Sequence, residues 1–266
     1  MWDAESQRSL QKLPWVCHVE FHPTLGSTND RARELLDEGT ELPALVVAGQ
    51  QTAGRGRQGR TWWSPPGALL ASLAVGADIG PELPRAMAVV APWTGVGLAD
   101  GLARIEPALP LWLKWPNDLM VGDAKLGGVL VECVPDAGGR PRWIVGFGIN
   151  VNNECVGKRV PKQPPGNPAA ISLRDFSGRS YPLADVLGTL LPALAAAYSQ
   201  FRADPERFPD RWRVYCGLQG RRVRIDSGHG ETGVGVCVGV DADGALRLQT
   251  DSGSVELWRH GTVRPA

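Results

Sequence analysis

Apolar runs of strand length alternate with polar turns in the first 152 residues of the chain. ALVVAG at 44–49 and ALLASLAV at 68–75 are uninterrupted. Four more runs follow after residue 110, with the sequences LWLKWP, DLMVG, LGGVLVECV and RWIVGFGINVN. Runs of this length, separated by turn residues, are typical of β-strands. The pattern therefore predicts a β-sheet, to which the short run WVCHVEF at 15–21 adds a further strand.

Helical periodicity occurs before, between and after these strands. Ala32, Leu35 and Leu36 recur at helical spacing after Ser27, and Gly39 stands at a natural helix C-terminus. Residues 84–105 and about 182–215 also have helical patterns, whereas residues 153–168 are predicted to form a surface loop. Strands and helices together predict an α+β fold.

The pattern changes near Gly220. Short strand patterns, RRVRI, GVGVCVGV, ALRLQT and SVELW, follow at close spacing with Asp-Gly and Ser-Gly turns between them. This is typical of a small all-β barrel of roughly 45 residues in the style of an SH3 domain. We therefore divide the chain into a larger domain, residues 1–217, and a small barrel domain, residues 218–266.

Composition narrows the possible partners. Lys plus Arg and Asp plus Glu both number 28, so no overall charge favours nucleic acid or a membrane. The five cysteines are scattered without a C-x-x-C pair, and His18 and His22 lack neighbouring metal ligands. The N-terminus is polar and no apolar run reaches transmembrane length. We expect a cytoplasmic protein with reduced thiols and no membrane partner.

The basic loop GRGRQGR at 54–60 fits two kinds of phosphate site. Read as Gly54-x-Gly56-x-x-Gly59, it matches the dinucleotide-binding fingerprint, but that fingerprint must lead directly into a helix. Here the glycines are followed by RTWWSPPG, whose paired prolines do not begin a helix. The loop is better interpreted as a flexible anion clamp, in which arginines supply paired hydrogen-bond donors.

Five motifs in one order resemble those of a known family. They are STN at 27–29, QTAGRGRQGR at 51–60, KWPND at 114–118, KLGGVLVE at 125–132 and GFGINVN at 146–152. Together they resemble the biotin protein ligases, which attach biotin to lysines of carrier proteins. The resemblance implies a class II synthetase-like catalytic domain, with a mixed β-sheet flanked by helices, followed by a small SH3-like β-barrel.

The resemblance also implies roles for individual residues. Those implied to bind biotin are Ser27, Thr28, Asn29, Gln51, Arg55, Gly56, Arg57, Lys125 and Gly128. Those implied to bind ATP or the adenylate are Arg57, Arg60, Trp62, Lys114, Asn117 and Asn150, with Trp63 as an alternative to Trp62. Lys125 and Arg57 are implied to be catalytic. Ser27 and Asp30 also fit a helix capping pair, a role compatible with ligand binding. For Asp118 two roles stay open: it either binds a metal ion or stabilises the conformation of its own loop.

The implied reaction uses ATP and Mg²⁺ to convert biotin into biotinyl-5′-AMP. Biotin then passes to a lysine of a biotin carboxyl carrier domain. Two alternatives stay open, a related lipoate or octanoate ligase and a non-catalytic biotin-binding module. Some relatives carry an N-terminal helix-turn-helix, but only 26 residues precede Ser27. We therefore expect no nucleic-acid partner.

Overall fold

The computed structural model describes residues 2–13, 15–76, 86–157, 168–228 and 230–266. The helices are α1 (Ala4–Gln11), α2 (Thr28–Asp37), α3 (Ala86–Ile105), α4 (Leu173–Ser177), α5 (Leu183–Ala203) and α6 (Phe208–Tyr215). The strands are β1 (His18–His22), β2 (Ala44–Ala48), β3 (Ala68–Val75), β4 (Leu111–Lys114), β5 (Asp118–Val121), β6 (Ala124–Pro135), β7 (Pro141–Asn150), β8 (Arg222–Asp226), β9 (Thr232–Val240), β10 (Leu246–Gln249), β11 (Val255–Trp258) and β12 (Thr262–Pro265).

The larger sheet has seven strands in the order β1-β2-β3-β7-β6-β5-β4. β1 and β2 are parallel, and all other neighbouring strands are antiparallel. β6 and β7 form a long hairpin that pairs from Gly127 opposite Ile149 to Pro135 opposite Pro141. The predicted mixed sheet is thus confirmed.

Two hydrophobic cores explain why the inner strands are apolar throughout. In β2, Leu45 and Val47 enter a large core that includes α3 and α5. The alternate residues Ala44 and Val46 enter a smaller core with α2. Successive side chains of a strand point to opposite faces, so a sheet covered on both faces has no position open to water.

The second sheet has five antiparallel strands in the order β11-β10-β9-β8-β12. Its inner residues, among them Val223, Ile225 and Leu248, belong to the same hydrophobic cluster as α3 and α5. The Trp115 indole N–H also donates to the Gly244 carbonyl at 2.9 Å. The small domain therefore packs firmly on the large one, and the boundary between residues 217 and 218 stays a prediction.

Three elements were not predicted from the sequence. They are α1, α4 and β12, and the last two are too short to show a clear hydrophobic period. α4 depends on a capping box between Ser172 and Asp175. The predicted helical region 182–215 is interrupted at Asp204, where α5 ends before a 3₁₀ turn at Pro205–Arg207. Much of the predicted loop at 153–168 lies outside the described residues.

Candidate active site

A cavity of about 440 Å³ lies between the larger sheet, the loop that joins β2 to β3, and β12. This volume is typical of small-molecule sites. All of the site residues predicted from the sequence line it: Ser27, Thr28, Asn29, Gln51, Arg55, Gly56, Arg57, Arg60, Trp62, Lys114, Asn117, Asp118, Lys125, Gly128 and Asn150. Trp63 lines it as well. The fold thus brings together motifs that are spread along the chain from Ser27 to Asn150.

One end of the cavity is built at the first turn of α2. Ser27 is the N-cap residue, with extended backbone at φ −154° and ψ 137°, but its hydroxyl makes no capping hydrogen bond within the described chain. The predicted Ser27–Asp30 capping pair is therefore wrong. The Asp30 carboxylate instead accepts two hydrogen bonds of 2.7 Å from Arg55. The Thr28 N–H at the helix start donates to Gln51 Oε1 at 2.8 Å. Ser27 is one of the residues that line the cavity, and its hydroxyl is not used to cap α2.

Arg55 connects this polar end to the basic loop. Besides Asp30, it donates to Glu132 Oε1 at 3.2 Å. The hydrogen bonds from Arg55 lower the pKa of the Asp30 carboxyl. Burial alone would raise the pKa of Glu132, but hydrogen bonds from Arg33, Asn29 and Arg55 outweigh it and lower the pKa. Both carboxylates consequently stay ionised near neutral pH.

Glycines of β6 and β7 form the floor of the cavity. Gly128 and Gly148 are direct cross-strand partners, and the Trp62 ring lies over both. A Cβ atom at Gly148 would lie 2.5 Å from the Trp62 ring, closer than real Cβ contacts. A Cβ atom at Gly146 would likewise collide with the Asn29 amide oxygen. These positions need glycine because two side chains of the site lie directly on the strand backbone.

The other end of the cavity is rich in cations. Its lining includes Arg57, Arg60, Lys114, Lys125 and Arg264. Among the described lining residues, Asp118 is the only acidic one. An excess of positive side chains over one carboxylate in a concave site favours a ligand with several negative charges.

Arg57 connects the basic loop to both domains. Its guanidinium donates to Asn117 Oδ1 at 3.0 Å and to the Gly261 carbonyl of the small domain at 3.1 Å. Burial lowers the pKa of this guanidinium, because desolvation disfavours the charged form. Arg60 adds a second contact to the small domain at Thr262 Oγ1, 3.5 Å away. The loop thus closes one side of the cavity.

Lys114 and Lys125, the two lysines among the described lining residues, have different surroundings. Lys125 Nζ lies 2.5 Å from Asp118 Oδ1 and 5.4 Å from the centre of the Trp62 ring. Asp118 therefore holds the Lys125 ammonium in place. Burial is the main cause that lowers the pKa of Lys114, and the charges of Lys125 and Arg264 lower it further. An anion bound at Lys114 would counter both effects, because an opposite charge nearby raises the pKa of the lysine.

Comparison with known proteins identifies the chain. Residues 22–150 match the model of the Biotin/lipoate A/B protein ligase family, and residues 219–263 match that of the Biotin protein ligase C terminal domain. The bifunctional ligase/repressor BirA of Escherichia coli K12 is 32% identical over 249 residues, which cover 92% of this chain and 73% of BirA. The chain belongs to the biotin protein ligase family.

Other biotin protein ligases extend the likeness. The biotin--[acetyl-CoA-carboxylase] ligase of Mycobacterium tuberculosis is 31% identical over 240 residues, covering 86% of this chain and 82% of the relative. The structure of the biotin protein ligase from Aquifex aeolicus in complex with biotin and ATP has a TM-score of 0.77 and 25% identity. That likeness covers 94% of this chain and all of the Aquifex chain. The resemblance and the two-part fold drawn from the motifs are thereby confirmed.

Several residues that line the cavity of this biotin ligase, or that contact its lining from behind, were missed in the sequence. They are Ser72, Glu132, Gly146, Gly148 and the segment 261–264 of the small domain. Glu132 and the two glycines belong to the motifs KLGGVLVE and GFGINVN. The motifs therefore pointed to them, but the sequence alone assigned them no role. Ser72 is one polar residue in an apolar run. Segment 261–264 reaches the cavity only through the packing of the two domains.

The described residues contain neither a membrane-spanning helix nor a cluster of metal ligands. No helix there is both long enough and apolar enough to span a membrane. In the same part of the chain, no group of three His, Cys, Asp or Glu side chains could hold a metal ion. The five cysteines are all free.

Proposed function

We propose that this chain activates biotin with ATP to form biotinyl-5′-AMP and then transfers biotin to a lysine of a biotin carboxyl carrier domain. One observation carries the proposal: a single cavity has a buried polar end and a cationic end. Biotin has a neutral ureido ring and a carboxylate, and ATP adds a triphosphate, so the two ends fit the two kinds of group. The names of the relatives and the Aquifex complex with biotin and ATP support the same substrates.

The polar end is assigned to biotin. Ser27, Thr28 and Asn29, each about 95% buried, would hydrogen-bond the ureido ring, and Gln51 supports them through the Thr28 N–H. The valeryl chain of biotin would then run along the glycine floor toward the cations. The remaining biotin contacts are assigned to Arg55, Gly56, Arg57, Lys125 and Gly128.

The cationic end is assigned to ATP. Arg57, Arg60 and Lys114 would bind its phosphates, because charged donors at short range are the strongest ligands for phosphate oxygens. Trp62 is assigned to the adenylate, and its indole N–H is buried without a partner among the described residues. Asn117 and Asn150 line the same part of the cavity. The side-chain amide of each also donates a hydrogen bond to a backbone carbonyl of β6, Asn117 to Val129 and Asn150 to Lys125.

In the first step, a biotin carboxylate oxygen attacks the α-phosphorus of ATP, a new P–O bond forms, and pyrophosphate leaves. Biotin is already ionised at neutral pH, so this step needs no general base. It needs cations that offset the repulsion between two anions and stabilise the charge that develops on phosphate oxygens. Lys125, held by Asp118, and Arg57 are the groups proposed for this role.

In the second step, the neutral amine of a carrier lysine attacks the acyl carbon of biotinyl-5′-AMP. A C–N bond forms, the bond between the acyl carbon and the phosphate oxygen breaks, AMP leaves with the electron pair, and the amine nitrogen releases a proton to solvent. Until the carrier arrives, the basic loop would shield the mixed anhydride from water and from other amines. The contacts of Arg57 with Asn117 and Gly261 support this role, because they fasten the loop across the cavity.

The described cavity residues offer too few carboxylates to bind Mg²⁺ without the phosphates of the substrate. Asp118 is the one carboxylate on the cavity wall in the described chain, and it is already paired with Lys125. Magnesium in nucleotide sites is usually bound by one or two carboxylates together with substrate phosphates. When bound, it would neutralise charge on the leaving pyrophosphate, with Asp118 as the candidate protein ligand.

The alternatives receive less support. A fatty acyl chain such as lipoate or octanoate has no ureido group to match the buried hydroxyls and amides at Thr28 and Asn29. A non-catalytic biotin module would not need the cations that line the other end.

The free cysteines support a cytoplasmic location, where thiols are kept reduced.

The test is to incubate the purified chain with biotin, ATP, Mg²⁺ and a biotin carboxyl carrier domain. We expect the carrier mass to rise by one biotinyl group, and we expect biotin-dependent exchange of labelled pyrophosphate into ATP without carrier. Octanoate and lipoate serve as matched substrates. Exchange that depends on either of them and not on biotin would contradict the proposal.

A further inference from the structure

A chain of buried and half-buried hydrogen bonds lies directly behind the proposed ureido pocket. At its centre is Ser72, a fully buried residue of β3. Ser72 Oγ lies 2.6 Å from Asn29 Oδ1 and 2.7 Å from Thr28 Oγ1. The Asn29 amide nitrogen in turn lies 3.3 Å from Glu132 Oε1. The chain of contacts thus runs from Glu132 through Asn29 and Ser72 to Thr28.

Glu132 determines which way the Asn29 amide points. The carboxylate is kept ionised by Arg33 at 2.7 Å and Arg55 at 3.2 Å, so it can only accept hydrogen bonds. The side of the Asn29 amide that faces it must therefore be the NH₂ group. The amide oxygen must then face Ser72.

This orientation of the Asn29 amide determines where the hydroxyl hydrogens of Ser72 and Thr28 point. Asn29 Oδ1 cannot donate, so the single hydroxyl hydrogen of Ser72 is committed to it. Thr28 Oγ1 lies 2.7 Å from Ser72 Oγ, whose one hydrogen is already taken by Asn29, and it donates its own hydrogen to Gln51 Oε1 at 3.1 Å. Gln51 Oε1 is itself oriented by the Thr28 N–H at 2.8 Å. The Thr28 hydroxyl hydrogen therefore points away from the cavity.

Two groups with opposite polarity are left for a ligand. Thr28 Oγ1 has lone pairs that can only accept, and the Asn29 amide has a second N–H that can only donate. Both residues line the cavity. A ligand that carries an N–H beside a C=O, as a cyclic urea does, satisfies both, whereas a ligand with donors only does not.

We propose that Glu132 and Ser72 are positioning residues that set the donor–acceptor polarity of this pocket, and so select a urea over groups of the same shape. The inference rests on the proposed function, since it takes biotin as the ligand of the pocket. Neither residue needs to touch the ligand. Each acts through the side chain that does, Glu132 through Asn29 and Ser72 through both Asn29 and Thr28.

Two variants test the proposal with two ligands. Ser72→Ala removes the central hydroxyl, and Glu132→Gln supplies an amide that can donate as well as accept, so that Asn29 can turn over. The ligands are biotin and 2-iminobiotin, which has the same shape but a cyclic guanidinium with donors only. Thr94→Val is the matched control, because Thr94 is equally buried and its hydroxyl bonds Tyr198 and Val90, in the core away from the cavity.

For Ser72→Ala we expect KM for biotin in pyrophosphate exchange to rise by about 10- to 100-fold, with KM for ATP and kcat changed by less than about twofold. For Glu132→Gln we expect the preference for biotin over 2-iminobiotin to fall by about tenfold. Thr94→Val should move neither quantity, although its melting temperature should fall.

The proposal is overturned if Ser72→Ala leaves KM for biotin within about twofold of the parent and Glu132→Gln keeps the full preference. Equal losses for biotin and ATP would also overturn it, because they would indicate general damage to the fold. If the unmodified chain shows no exchange with biotin, the proposed function itself has failed. That result is distinct, because it requires no variant.

Discussion

The two ends of the cavity are built to bind their ligands by different physical means. At the polar end, Ser27, Thr28 and Asn29 are almost completely buried, and Thr28 and Asn29 are held by short hydrogen bonds with Ser72 behind them. At the cationic end, side chains such as Lys125 keep 27% of their surface exposed and project toward an open volume. The first end is organised before a ligand arrives, whereas the second supplies charge.

This difference indicates which end of the cavity should select the ligand and which end should determine the rate of the reaction. A buried pocket with prearranged donors and acceptors rejects a wrong ligand, because any mismatch leaves a polar group unpaired. Cations at a half-open end discriminate less among anions, but they stabilise the charge that develops during phosphoryl transfer. Changes at the polar end should therefore act on KM for biotin, and changes at the cationic end on kcat and ATP.

The largest effect should come from Lys125→Ala. Loss of one positioned charge that stabilises a transition state typically costs about 3 kcal/mol, or roughly 100-fold in kcat. The Lys125–Asp118 pair is partly exposed, so the free energy of unfolding should change by less than about 1 kcal/mol. Exchange kinetics and thermal melting measure the two effects separately. Lys12→Ala, at an exposed lysine beyond the end of α1, is the matched control. Near-normal adenylation in Lys125→Ala would remove this lysine from the mechanism.

Gly146→Ala should damage the polar end selectively. Its new methyl group collides with the Asn29 amide oxygen and displaces the side chain that would read the ureido ring. We expect KM for biotin to rise at least about tenfold while KM for ATP stays within about twofold. Gly188→Ala is a suitable control, since a Cβ atom there meets only Leu10 at 4.0 Å. A parallel rise in both KM values would show that the two ends are not independent.

Arg57→Gly should loosen the basic loop without abolishing adenylate formation. It removes the contacts with Asn117 and the Gly261 carbonyl, so biotinyl-5′-AMP would be held poorly and would escape. The escaped anhydride should label exposed lysines of an unrelated, lysine-rich protein at several times the background. Mass spectrometry of that bystander measures the leak. Arg140→Gly, at an exposed arginine in the β6–β7 turn, controls for loss of charge. Labelling confined to the true carrier would contradict the shielding role.

The smallest expected effect is on the pH dependence of ATP binding. Because burial and neighbouring cations lower the pKa of Lys114 below its ordinary value of 10.5, this side chain loses its charge earlier as the pH rises. KM for ATP should therefore increase by a few-fold with pH in the alkaline range below 10.5, while KM for biotin stays level. In Lys114→Arg the rise should disappear, because arginine keeps its charge throughout this range. A rise that persists in this variant would assign the pH dependence to another group.

The sequence predicted the main strands because each was a distinct apolar run. β3 was predicted at Ala68–Val75 and has those bounds in the structure. The two-sided covering of β2, in contrast, depends on which helices pack on each face, and residue pattern alone does not contain that information. β12 was missed because it has four residues and ends at Pro265, so its strand character comes from pairing with β8.

For the site, the sequence by itself determined which chemical groups are available and in what order. Motifs such as STN and KLGGVLVE carry short polar side chains, a lysine and glycines that side chains can approach closely, and all of their predicted members line one cavity. Only the tertiary structure decided which of these groups are already engaged. Asp30 pairs with Arg55 instead of capping α2, and Ser72 reaches Asn29 from another strand. Hydrogen-bond partners distant in the chain are chosen by the packing of strands and helices, a physical constraint that no local pattern records.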